Sequence, residues 1–231
     1  MPRRARGNLY DMRKYYPMMV DLTDRRCLVV GGGRVAERKV ALLVECGAAV
    51  EVVSPAATTR LETLAETERI RLRRRPVRSA DLDGAFLVVA ATDDAEVNRD
   101  VAERARAAGS LVNVVDDPEA CSFQVPSVVR RGDLTITIST GGGSPALAKK
   151  LRQRLEQTIG PEYEGFLAAL RELRERAQRT IHDPEERRAV YRRAVESDLF
   201  EHVARGDSAA ISARIQELLH AAAPGAGEAG A

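Results

Sequence analysis

The sequence predicts an α/β fold: a doubly wound parallel sheet, followed by a β-hairpin region and a small all-helical C-terminal domain. Three observations predict it. Between residues 26 and 115, short apolar runs alternate with helical periods, the β-α-β-α order of a parallel sheet. Gly31-Gly32-Gly33 stands between one such run and one such period. Beyond Pro126 a period-two pattern takes over, and residues 161–220 then read as charged helices.

The elements follow in order. Tyr16 to Leu22 reads as a lead-in strand that turns at Thr23-Asp24. Cys27 to Val30 is a continuous apolar run, suited to a strand buried on both faces. Val35, Ala36, Val40, Leu43 and Val44 give a helical period that stops near Gly47. Strands are expected at 48–54, 69–77, 85–91 and 111–115, with helices at 56–67 and 94–108. Asp93 or Asp94 is placed to cap the second of these helices. Val125 to Val129 and Leu134 to Ser139 flank Arg130-Arg131-Gly132-Asp133 as a β-hairpin with one apolar face. A lone hairpin is not stable in water, so a second copy of the chain is a candidate packing partner. Ser144-Pro145 opens a helix through Leu147, Leu151 and Leu155, and Asp183-Pro184 and Asp207-Ser208 open later ones.

Composition narrows the function classes. The 231 residues are 44% hydrophobic, which fits a globular protein. With 36 Lys+Arg against 34 Asp+Glu the net charge is +2, which does not point to a nucleic-acid partner. Cys27, Cys46 and Cys121 form no paired motif, and the framework reads as intracellular. His182, His202 and His220 lack metal-ligand spacing, so no bound metal is expected. No run approaches the ~18 apolar residues of a membrane span. The basic residues 1–14 lack the apolar core of a signal peptide. A cytoplasmic protein without membrane contact is expected.

Two stretches carry chemistry. Gly31, Gly33 and Ala36 fit G-x-G-x-x-A between a strand and a helix, the pattern of a dinucleotide site. Gly31 permits the tight turn, Gly33 lets a pyrophosphate approach the backbone, and the helix N-terminus at Arg34 and Val35 faces the anion. The second strand ends in Ser54-Pro55, where an acid that binds the ribose is usual, and Arg34 is near enough to favour a phosphorylated ribose. Ala91 and Thr92, where the strand expected at 85–91 ends, are placed to form a lip beside such a cofactor, with Asp93 next to them. The other stretch runs from Asn113 to Ser127. Its strand stops at Asp116-Asp117-Pro118, which is a turn sequence and also places carboxylates at the ligand-bearing edge of the sheet. Thr140-Gly141-Gly142-Gly143-Ser144-Pro145 is a second glycine-rich helix start, suited to capping or to an anion.

Taken together, Val29 to Lys39, Ala90 to Asp94, Asn113 to Asp116 with Ser122-Phe123 and Pro126-Ser127, and Ser139 to Pro145 resemble the N-terminal module of siroheme synthases, the precorrin-2 dehydrogenase and sirohydrochlorin ferrochelatase family. The resemblance spans about residues 15–220. It implies an NAD-binding Rossmann domain at 15–116, a dimerisation region at 117–158 and a helical domain at 159–220; a flexible N-terminus is expected at 1–14, and the small residues, glycine and proline of 221–231 read as a disordered tail. It implies NAD as hydride acceptor, bound by Gly31, Gly33, Arg34, Val35, Ser54, Pro55, Thr92 and Asp93. The expected reaction oxidises precorrin-2 to sirohydrochlorin, with ferrous or cobaltous ion as a further substrate for insertion. Asp116 falls on the family's catalytic aspartate, and Asn113, Ser122, Phe123, Thr140, Gly141 and Ser144 on the substrate side. Thr140 stands where some members carry a phosphorylated serine. A homodimer is implied. The competing reading is a regulatory module that senses NAD without chemistry.

Overall fold

A computed structural model describes residues 15–221. The expectations for residues 1–14 and 222–231 lie outside the described residues. The chain divides into two compact units, between Val125 and Pro126.

The first unit is built on five parallel strands: β1 (Arg26–Val30), β2 (Ala49–Val53), β3 (Arg71–Arg73), β4 (Leu87–Ala90) and β5 (Leu111–Val114). Their order is β3-β2-β1-β4-β5, so the direction of winding reverses between β1 and β4, as in a Rossmann sheet. Three helices connect them: α1 (Arg34–Glu45), α2 (Thr59–Glu66) and α3 (Ala95–Ala107). The apolar runs are continuous because both faces are buried. Leu28 and Val30 of β1 join Val53, Val88, Ala90, Val112 and Val114 on one side. Cys27 and Val29 join Val50, Val52, Leu87, Val89 and the Ala36, Val40, Leu43 stripe of α1 on the other. Burial pushes the Cys27 thiol up to about 11, with a smaller contribution from Cys46, so it stays protonated in the core.

Two expectations change. The segment 16–22 forms no strand, and Tyr16 and Met19 remain 86% and 72% exposed. β1 is already paired on both sides, by β2 and β4, so no free edge lies beside it. β3 covers three residues instead of 69–77, because the arginines that follow serve ion pairs. Arg74 reaches Glu62 at 2.7 Å, and Arg75 grips the buried Asp81 with two bonds of 2.6 and 2.7 Å.

In the second unit, β6 (Ser127–Arg131) and β7 (Leu134–Ile138) form the expected antiparallel hairpin around Gly132-Asp133. Here α4 (Pro145–Thr158) packs against both strands. The hairpin therefore has a packing partner within its own chain. Four helices follow: α5 (Glu162–Thr180), α6 (Pro184–Glu196), α7 (Leu199–Ala204) and α8 (Ser208–His220). They close around Leu173, Val190, Leu199, Ile215 and Leu218. Asp183 and Asp207 cap α6 and α8 through bonds of 3.0 Å to Glu185 N and Ala210 N. Among the described residues, no helix is long and apolar enough to cross a membrane.

Candidate active site

The C-terminal ends of β1, β2, β4 and β5 open into one cleft of about 880 Å³. Backbone bonds between neighbouring strand ends set its floor. Gly31 N donates to Val53 O, Ala91 N to Val30 O, and Val115 N to Ala90 O, at 3.0, 2.8 and 2.9 Å.

The three glycines do different work. Gly31 has φ +121°, and a Cβ there would lie 2.2 Å from Ala91 O. A Cβ on Gly32 would lie 1.9 Å from Ala56 O, while one on Gly33 would meet nothing within 4 Å. The first two are required by the fold. Gly33 opens into the cleft and begins α1, whose N-terminus has no side-chain cap. Uncapped N–H groups, an open approach and the positive end of a helix dipole suit a pyrophosphate. The residues present therefore fit a dinucleotide. Arg34 and Val35 line the cleft beside them, as do Ser54, Pro55, Thr92 and Asp93. No carboxylate lies between Ser54 and Thr58 at the end of β2.

The loop after β4 is fixed by Asn98, a residue that sequence reading missed. It is buried, accepts bonds from Thr92 N and Oγ1 at 3.1 and 2.8 Å, and donates to Thr92 O at 2.9 Å. A signal was present: Asn98 shares a helical stripe with Val101, Ala102 and Ala105, where a polar residue needs a partner. Asp94, not Asp93, caps α3, accepting from Glu96 N at 2.8 Å. Asp93 is left exposed at the cleft.

Asp116 and Asp117 both line the cleft but are not equivalent. Asp117 caps a short 3-10 turn at Pro118–Ala120 by accepting Ala120 N at 3.1 Å. Asp116 is exposed, has φ +60°, and its carboxylate has no partner among the described residues. A left-handed conformation in a residue other than glycine is uncommon, and it clusters at functional sites.

The segment after this turn covers the outer edge of β5. Ser122 Oγ accepts Val112 N at 2.7 Å, and Ser122 N donates to Val112 O at 2.8 Å. Asn113 is buried and donates to Phe123 O at 3.3 Å, and Phe123 packs on the core beneath α1. Asn113, Ser122 and Phe123 are not among the lining residues of the cleft. Thr140, Gly141 and Ser144 belong to the second unit. There Thr140 Oγ1 accepts Ser144 N at 3.1 Å, and Ser144 Oγ caps α4 by accepting Leu147 N at 3.2 Å. Gly141 supplies the turn with φ +61°. The structure thus brings Asp116 together with all eight residues expected at the dinucleotide. Among the described residues, no cluster of three metal-ligating side chains is present.

Fold and cleft define a dinucleotide-binding α/β protein. The family model "Putative NAD(P)-binding" matches residues 18–127, "Sirohaem biosynthesis protein central" matches 131–158, and "Sirohaem synthase dimerisation region" matches 162–219. The chain is 43% identical over 203 residues to a siroheme synthase of Methylobacillus flagellatus, covering 88% of this chain and 44% of that protein. It is 41% identical over 220 residues to a siroheme synthase of Chromobacterium violaceum, covering 94% of this chain and 46% of that one. It spans about half the length of these curated relatives. A solved structure of SirC, a precorrin-2 dehydrogenase, matches with a TM-score of 0.75 and 27% identity, over 88% of this chain and 100% of that chain. The chain belongs to the siroheme synthase N-terminal module family.

Proposed function

We propose that the chain is an NAD-dependent precorrin-2 dehydrogenase that forms sirohydrochlorin on the route to siroheme. One observation carries the reading: the carboxylate of Asp116, without a partner among the described residues, stands in the same cleft as an open glycine turn and an uncapped helix N-terminus. Bound NAD supplies the hydride acceptor. Gly31 and Gly33 would admit its pyrophosphate to the N-terminus of α1, and Ser54 and Pro55 would hold it from the end of β2. Thr92, held by Asn98, and Asp93 form the opposite lip.

The oxidation removes two electrons and two hydrogens. One hydrogen leaves the macrocycle as hydride, and the other leaves as a proton that Asp116 accepts. Asp117 is occupied with its cap. Asn113, Ser122 and Phe123 serve the substrate indirectly, by holding the segment that carries Asp116. A role for Thr140, Gly141 and Ser144 towards the same substrate rests on the resemblance. So does insertion of ferrous or cobaltous ion, in which the same carboxylate would take the pyrrole N–H protons. NAD is preferred over NADP on the same ground. We place the enzyme in the cytoplasm, in keeping with three cysteines that form no disulfide. The functional unit is a homodimer.

Steady-state oxidation of precorrin-2 under anaerobic conditions tests the role of Asp116. Asp116→Ala should lose on the order of 10²–10⁴ in rate, the usual contribution of a general base. NAD affinity should change little, and Asp117→Ala should lose far less rate. If the two losses are reversed, the base is Asp117; if neither variant is impaired, the mechanism is wrong.

A further inference from the structure

We propose that Cys121 is a positioning residue for this oxidation: its thiol locks the turn that presents Asp116 to the cleft. The inference rests on the function proposed above and assigns a role to a buried nucleophilic group that the mechanism leaves unused. Cys121 is 6% exposed and is not among the lining residues of the cleft. Its sulfur accepts from Val114 N at 3.2 Å and from Asn113 Nδ2 at 3.5 Å. Its proton is shared between Val114 O and Asp117 O, each at 3.3 Å.

These contacts bracket Asp116. The thiol holds the backbone two residues before it and the carbonyl one residue after it. From the other side, Val115 N is tied to Ala90 O at 2.9 Å. Asp116 has φ +60° between these anchors, a conformation that surroundings must hold in place. β5 is also the outermost strand of the sheet. Without the thiol, the outward N–H and C=O of Val114 would lose the partner seen here. The turn would then be free to relax, and the carboxylate would no longer point reliably at one place. Oxidation chemistry at the sulfur plays no part. Cys27 belongs to the core cluster on one face of the sheet and Cys121 to that on the other.

Cys121→Val stays apolar and removes the hydrogen bonds while adding about a methyl group of bulk; Cys121→Ser is close to the size of cysteine and returns a donor and an acceptor. The experiment measures kcat for NAD-dependent oxidation of precorrin-2, the Kd for NAD and the melting temperature for both variants. It repeats the kcat measurement with Cys121→Val added to Asp116→Ala. Cys121→Val should lower kcat roughly 10- to 100-fold, the range expected from misplacing a reacting group by about an ångström. The Kd for NAD should stay within about twofold, and Cys121→Ser should recover most of kcat. In the Asp116→Ala background the second substitution should cost nothing further, because the residue it positions is gone. A purely structural role would instead lower kcat by the same factor in both backgrounds, and that result overturns the proposal. If Cys121→Val does not fold, Cys121→Ala carries the same expectations. A wild-type protein that reduces no NAD overturns the function and this role together. An active wild type whose Cys121→Val variant keeps its kcat overturns the role alone.

Discussion

At the scale of single residues, the glycine turn divides what the fold needs from what the ligand needs. A side chain at Gly31 or Gly32 would strike backbone oxygens at 2.2 and 1.9 Å, whereas Gly33 faces open space. Gly33→Asp should therefore fold normally and lose NAD binding, because a carboxylate would stand where the pyrophosphate approaches. Calorimetric titration with NAD, beside a thermal melt, checks this; unchanged affinity in a folded variant would contradict the assignment. Gly32→Ala should instead lower the melting temperature. The cofactor choice is tested at Arg34. The kcat/KM should be higher with NAD than with NADP. Since no carboxylate lies from Ser54 to Thr58 to repel a ribose phosphate, Arg34→Glu should sharpen that preference. A wild type that prefers NADP would show that Arg34 decides the matter. The glycine pattern was legible because its spacing is local. The demand on Gly32 was not, since it comes from Ala56, which only the folded chain brings near.

At the scale of elements, strand ends and caps decide which carboxylates are free. Asp117 caps a 3-10 turn and Asp94 caps α3, which leaves Asp116 and Asp93 at the cleft. Sequence reading found the strand end and chose Asp116 over Asp117 through the resemblance, but the left-handed turn at Asp116 and the cap made by Asp117 show only in the folded chain. The same logic explains why β3 is short. Arg75 holds the buried Asp81 carboxyl down at about 2, aided by the N–H of Arg78 and the charge of Arg73, against the opposing effect of burial. A carboxyl lowered from 3.8 to about 2 stabilises the folded unit above its unfolded value, and loses that contribution as pH falls towards 2. The shift is worth roughly 2 kcal/mol, since each unit is about 1.4 kcal/mol. Asp81→Asn should therefore be less stable near pH 7 and should lose less further stability between pH ~4 and ~2. Denaturant titrations at several pH values test this, and parallel curves for both proteins would contradict it.

At the scale of the whole molecule, the sheet order and the helical second unit follow the pattern of apolar runs and periods. The segment at 117–125 was less legible. It packs along β5 in the first unit, because Cys121 and Ser122 supply hydrogen bonds to an exposed strand edge, and that pairing has no periodic signature. Assembly is the remaining question at this scale. The hairpin is covered by α4 within the chain, while Leu147 and Leu151, one helical turn apart on α4, are 48% and 38% exposed. The family match described as a dimerisation region falls on residues 162–219. We expect a dimer by sedimentation, and Leu147→Asp with Leu151→Asp should weaken it while leaving each chain folded, since exposed leucines contribute little to the monomer core. A monomeric wild type would contradict the dimer. The proposed function requires that this cleft oxidises precorrin-2 and does not merely bind NAD. Anaerobic incubation of the purified protein with precorrin-2 and NAD, followed by absorbance, tests it most directly. Sirohydrochlorin and NADH should appear in equal amounts over many turnovers. Tight NAD binding with no change in the tetrapyrrole spectrum would contradict it, and would make the chain a sensor of the dinucleotide.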